Sequence, residues 1–158
     1  MKINPNQITD FLDKEKSKIF LLIFGSNFGL INQSFKKIID ILEIDKGNPF
    51  STVHINHNQL LEDQRILLDE LNTYPVFDEF KNILIDIRGA SDLKKLYKIF
   101  LEITDLNITN HRIIITANHL KSNDQIVKLF NNLENCISVA CYEEQKNLVN
   151  YKLETYLK

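Results

Sequence analysis

At 158 residues the chain has room for one domain with a single sizeable core. Apolar residues make up 44% and charged residues 25%, as in ordinary globular proteins, and a formal net charge of -2 argues against a domain whose main partner is a phosphate backbone, which is usually strongly basic. No apolar run approaches the ~20 residues that a membrane span needs, and the short run from Lys18 to Phe24 sits behind a charged, capped helix, so it is no signal peptide; a cytoplasmic protein is expected.

Asn4 to Lys14 reads as a short helix, with Pro5 near its first position and Phe11 and Leu12 as its apolar contacts. Ile19 to Phe24 is apolar at both parities, the pattern of a central strand covered on both faces. A turn at Gly25-Ser26-Asn27 leads into a helix from about Gly29 to Leu42, with Leu30, Phe35, Ile38, Ile39 and Leu42 on one broad face. After the turn Gly47-Asn48-Pro49, a second strand is expected over Phe50 to Ile55. Asp63 is a plausible N-cap for a helix through Ile66, Leu67, Leu68 and Leu71.

Ile83, Leu84, Ile85 and Ile87 mark a third strand. Ser91 is placed to cap a helix with Leu93, Leu96, Tyr97, Phe100 and Leu101 towards the core. Arg112 to Thr116 is the fourth strand, and Ser122 or Asn123 begins a helix carrying Ile126, Val127, Leu129 and Phe130. Ile137 to Ala140 is the fifth strand, and Glu143 to Leu157 a last amphipathic helix. Strands and helices alternate, which predicts an α/β fold: a three-layer α/β/α arrangement around a five-stranded parallel sheet. The expected organisation is an α/β domain over 1–142 and a C-terminal helix over 143–158, which ends without a glycine or proline stop, as if a longer protein would continue.

Chemistry is sparse. Cys136 and Cys141, if they share a strand, lie roughly 16 Å apart on opposite faces and cannot form a disulfide; both read as small core or strand-end residues. In a parallel α/β sheet ligands sit at the carboxyl ends of the strands, which singles out the loop Gly25-Ser26-Asn27-Phe28-Gly29. It has no lysine and lacks the glycine spacing of either a P-loop or a dinucleotide fingerprint. Asp86 ends an apolar run but has no Lys and Ser/Thr partners with which to hold a metal-bound nucleotide, and reads as an outward-facing or edge residue of its strand. His54, His57, His111 and His119 are scattered, without metal-ligand spacing. Lys94, Lys95 and Lys98 read as a solvated helix face. No catalytic, cofactor or metal residue is assigned, although the fold class alone keeps open a nucleotide-binding protein or enzyme using the loop near Gly25.

One stretch is unusual. Pro75 ends any helix before it and pushes Tyr74 out of the helical region, and Tyr74, Val76 and Phe77 then form an apolar cluster in what should be a polar surface connection. Such a cluster is either a lid folded onto the core or an exposed contact point. If exposed, burying Val76 and Phe77 in a partner contributes ~3–6 kcal/mol before the costs of association.

With these elements in place, the chain resembles the N-terminal domain of the delta subunit of bacterial DNA polymerase III, and the alphaproteobacterial form most. The resemblance rests on Leu21-Leu22-Ile23-Phe24-Gly25 with Gly29-Leu30, on Asn48-Pro49-Phe50 and its strand, on Leu120-Lys121-Ser122 with Leu129-Phe130, and on Cys141-Tyr142-Glu143. It implies a RecA-like or AAA+-like fold without a working P-loop. It also implies a non-catalytic subunit of the clamp loader within the polymerase III assembly, without a cofactor. Tyr74, Pro75, Val76 and Phe77 would form a hydrophobic wedge against the sliding clamp (the beta subunit), where binding loosens the ring. Val76 stands where the family usually has leucine, a loss of about one methylene or ~0.8 kcal/mol, and Asp78-Glu79-Phe80 replaces small and basic residues. Contacts to other clamp-loader subunits would need domains absent here, DNA would be met only through the whole loader, and no membrane partner is implied.

Overall fold

The computed structural model describes residues 1–14, 19–75 and 80–142. Six strands form one sheet: β1 (Lys2–Ile3), β2 (Phe20–Gly25), β3 (Thr52–Asn56), β4 (Lys81–Asp86), β5 (His111–Thr116) and β6 (Cys136–Cys141). All neighbours are parallel, in the order β1-β6-β2-β5-β4-β3. The helices are α1 (Ile8–Lys14), α2 (Phe28–Ile41), α3 (His57–Glu62), α4 (Arg65–Leu71), α5 (Leu93–Thr104) and α6 (Gln125–Asn131). The expected final helix over 143–158 lies outside the described residues, as do Val76, Phe77, Asp78 and Glu79.

The sheet therefore has one strand more than the five expected. At two residues, β1 is too short to leave any periodic pattern in the sequence. It is held by backbone bonds to β6, with Ser138 N donating to the Met1 carbonyl at 2.8 Å and the Met1 ammonium to the Cys136 carbonyl at 3.1 Å. Helix α3 also escaped the pattern, because its start is entirely polar: Asn56 and Gln59 form a reciprocal capping box (2.9 Å each way) where a strand end was expected. The same helix separates His57 from His54, which lies on β3. Asp92 rather than Ser91 caps α5, whereas before α4 the extended Asp63 does act as a cap, its Oδ1 accepting from Arg65 N at 3.1 Å. Asp124 rather than Ser122 or Asn123 precedes α6. Strand β3 begins at Thr52, leaving Phe50 in a turn outside it.

Burial on both faces explains the wholly apolar β2. Phe20, Leu22 and Phe24 point into one layer with Leu60, Leu67, Leu96, Phe100 and Phe130 from α3 to α6. Leu21 and Ile23 point into the other with Leu12, Ile31 and Ile38 from α1 and α2. Cys136 and Cys141 fall in opposite layers, both buried and neither in a disulfide, as the strand geometry requires. On α5 the core face is Leu96, Ile99, Phe100 and Ile103, whereas Leu93 and Leu101, expected inside, are exposed. The described residues include no helix long and apolar enough to cross a membrane.

At the carboxyl end of the sheet the backbone is crowded. Gly25 has φ +138°, and a Cβ there would meet the Cys141 carbonyl oxygen at 2.0 Å, so the glycine is required by the approach of β2 to β6. Asp86, at the end of the interior strand β4, is half exposed and paired with Arg88 at 2.9 Å; Arg88 also donates to Asn32 Oδ1 at 2.7 Å, tying β4 to α2. Burial raises the Asp86 carboxyl pKa, but hydrogen bonds from the side chain and backbone of Arg88, with help from Thr116, outweigh it and leave the pKa below the usual value.

Two outcomes follow from this end of the sheet. Gly25→Ala is expected to cost at least about 2 kcal/mol in urea unfolding, whereas Gly47→Ala, whose nearest atom would be Asp45 Oδ1 at 3.6 Å, stays within about 0.5 kcal/mol of wild type. Because the folded Asp86 pKa is depressed, its contribution is complete above the unfolded value of about 3.9 and is lost as pH falls through the folded value. The stability gap between wild type and Asp86→Asn should be flat from about pH 5 to 8 and close below about pH 4 in denaturant titrations.

Candidate functional site

A parallel sheet has two chemically different ends, and the sequence placed one candidate at each. At the carboxyl end, the crevice between β2 and β5 is where chain connections diverge to opposite faces and where a ligand would sit in this class of fold. Here that crevice is bridged by the backbone: His119 N donates to the Gly25 carbonyl at 2.9 Å. The rings of Phe28 and His119 meet edge to face above it, 5.4 Å apart. The first turn of α2 is already occupied by Asn27, whose side chain accepts from Leu30 N at 3.1 Å. Nearby, an open groove of about 330 Å³ runs beside β3 and β4, lined by Phe35, His54, Leu84 and Ile114. Its Asp86 and Arg88 satisfy one another. Among the described residues no three His, Cys, Asp or Glu side chains cluster as a metal site. None of this arrangement favours the nucleotide reading of the Gly25 loop.

The other end collects the loops that enter the strands. The connection from α4 to β4 begins at Asn72 and reaches β4 at Lys81. Its first residues are tied down by side chains from the two strands beneath. His111, buried at the start of β5, presents Nε2 to the carbonyls of Glu70 at 3.0 Å and Thr73 at 2.6 Å. Both partners are acceptors, so Nε2 carries the proton and donates. Lys81, also buried, donates from Nζ to Thr73 Oγ1 at 2.7 Å and pairs with Glu70 Oε2 at 2.7 Å, a charge contact without hydrogen-bond direction. Thr73 Oγ1 in turn donates to the Glu70 carbonyl at 2.9 Å. Of the last carbonyls of α4, that of Glu70 thus accepts from a strand side chain, His111, as well as from Thr73, while those of Leu68 and Asp69 accept from Asn72 N.

This brace leaves Tyr74 standing outward, 68% exposed, with its ring 6.1 Å from that of His111. Pro75 follows, half-buried. On the far side of the connection, Phe80 is half-buried beneath the Arg112 guanidinium, 4.4 Å from the ring centre. Of the Tyr74–Phe77 cluster, Tyr74 is therefore exposed and Pro75 half-buried; Val76 and Phe77 lie outside the described residues. Sequence reading missed the brace. His111 was read only as one of four scattered histidines and Lys81 was given no role; the signal available was their position flanking apolar runs, where a buried cation or imidazole needs partners. Lys94, Lys95 and Lys98 are exposed, as expected, with Lys95 Nζ donating to the Leu61 carbonyl at 2.7 Å.

No curated protein sequence matches the chain. Among solved structures, it is similar in fold to the Bacillus subtilis DNA clamp loader delta protein, with a TM-score of 0.61 and 12% identity, over 87% of this chain and 42% of that one. It is also similar to a DNA polymerase III gamma subunit-related protein from Thermotoga maritima, with a TM-score of 0.59 and 15% identity, over 85% of this chain and 45% of that one. The chain thus spans less than half the length of either protein. The family model for DNA polymerase III, delta subunit, matches residues 21–141, from the second residue of β2 to the last of β6, and the chain belongs to that family.

Proposed function

We propose that this chain is the clamp-engaging domain of a clamp-loader subunit, without catalytic activity of its own. In this reading Tyr74, Pro75, Val76 and Phe77 form a hydrophobic wedge that seats in an apolar pocket of the sliding clamp and loosens the ring interface. The observation that carries it is Tyr74, a large aromatic exposed on a loop whose root is fixed by His111 and Lys81. A braced root reduces the conformational entropy lost when the loop docks. Family membership and fold likeness to the Bacillus clamp loader delta protein support the choice of partner. Other clamp-loader subunits would be engaged through domains outside this chain, and DNA through the assembled loader.

Calorimetry of the 158-residue chain with its cognate sliding clamp tests the wedge. Wild type is expected to bind, and Val76→Ala/Phe77→Ala to weaken binding by at least about 30-fold, the loss of about 2 kcal/mol that a truncated hot spot produces. Absence of a wild-type complex, or equal affinity of the double variant, overturns the assignment. The brace makes a second, separable demand. Lys81→Met removes the donor to Thr73 and leaves Glu70 without its cation, so unfolding free energy should fall by about 1–3 kcal/mol. Under conditions where the variant is still folded, its clamp affinity should fall as well, because the loop root is then held by His111 without Lys81.

A further inference from the structure

Phe50 is the most exposed large apolar side chain among the described residues, at 73%. It does not dangle on a slack loop. Phe50 N donates to Asn48 Oδ1 at 3.0 Å, and the Asn48 carbonyl accepts from Ser51 N at 3.2 Å and Thr52 N at 2.9 Å, closing a tight turn immediately before β3. Pro49 adds a fixed φ to the same turn. The ring is thus held away from the core by a built turn, at the end of the sheet where the strands are entered.

Its neighbours at that end carry the same feature. Strand β3 pairs with β4, with Asn82 N donating to the Ser51 carbonyl at 2.8 Å, so the Phe50 turn abuts the start of β4 where the Tyr74 loop arrives. Strand β4 pairs with β5, with Lys81 N donating to the Asn110 carbonyl at 2.9 Å. The loop entering β5 holds Leu106, 45% exposed. Phe50, Tyr74 and Leu106 therefore stand on three adjacent entry loops, spanning two strand spacings or roughly 10 Å of backbone. A stable interface buries about 800 Å² on each partner, and one aromatic side chain supplies ~150–250 Å². The residues from Tyr74 to Phe77 contain two such rings and fall short of that area by themselves. An exposed, rigidly held phenylalanine next to them is the residue type enriched at the core of interfaces.

We propose that Phe50 is a second anchor of the same contact, so that the sliding clamp is gripped across the entries of β3, β4 and β5 with Phe50 at one margin and Leu106 at the other. This rests on the assignment of the clamp as partner. Calorimetric titration of the chain with the cognate sliding clamp separates the two ideas. Phe50→Ala should raise Kd by about 10-fold or more while its thermal midpoint stays near that of wild type, because the ring makes little of the core. Phe50→Tyr, which keeps the ring, should retain affinity and guards against a misfolded alanine variant. Phe28→Ala, at the opposite end of the sheet and 51% exposed, should bind like wild type. If Phe50→Ala binds within about twofold of wild type while Val76→Ala/Phe77→Ala has lost the clamp, the second anchor is wrong and the wedge stands. If wild type forms no complex, both fall together.

Discussion

All six strands run in one direction, and from that constraint the division of labour in this molecule follows. A parallel sheet must return through helices on its faces, and here helices pack on both, with an open groove left beside β3 and β4. The loops are sorted to two ends, exits at one and entries at the other. In β2 every side chain is spent on the two packed layers, Phe20, Leu22 and Phe24 on one and Leu21 and Ile23 on the other.

The exit end is consumed by the backbone itself. Gly25 allows β2 to lie against the Cys141 carbonyl, and the bond from His119 to Gly25 closes the gap to the segment after β5. In an α/β protein that binds phosphates, the helix N-terminus beyond the first strand is kept open and its amides face the ligand. Here Asn27 fills that role from within the chain. The entry end is organised oppositely: its polar groups turn inward to hold the loops, and its apolar groups turn outward. Buried Lys81 and His111 would be costly without partners, and the partners they find are Glu70 and Thr73, the residues that launch the Tyr74 loop.

Most of the layout was legible from periodicity. The five longer strands and the helices of 12 and 14 residues, α5 and α2, were visible because both-face burial writes continuous apolar runs and amphipathic stripes into the chain. What escaped was short or polar. Two residues of β1 hold no period, and α3 opens on Asn56-His57-Asn58-Gln59, where a capping box rather than hydrophobicity sets the start. On α5, Leu93 and Leu101 were expected inside because they are leucines, but Ile99 and Ile103 occupy the stripe that faces the sheet. At the candidate site the sequence could flag Tyr74 and Pro75 from the break in polarity. It could not decide between lid and contact point, because that depends on His111 and Lys81, which reach the loop from 38 and 8 residues away.

Phe50 shows the same limit from the other side. Read as the first residue of a strand it would share a face with Thr52 and His54. The turn at Asn48 moves the strand's start to Thr52 and puts the ring in solvent. A turn that merely needed a polar surface would be served equally well by asparagine or serine at that position. Large apolar side chains are instead exposed on the three adjacent loops that enter β3, β4 and β5. Phe50 and Tyr74 thus present aromatic area at the entry end, beside a loop whose root is pre-ordered by His111 and Lys81.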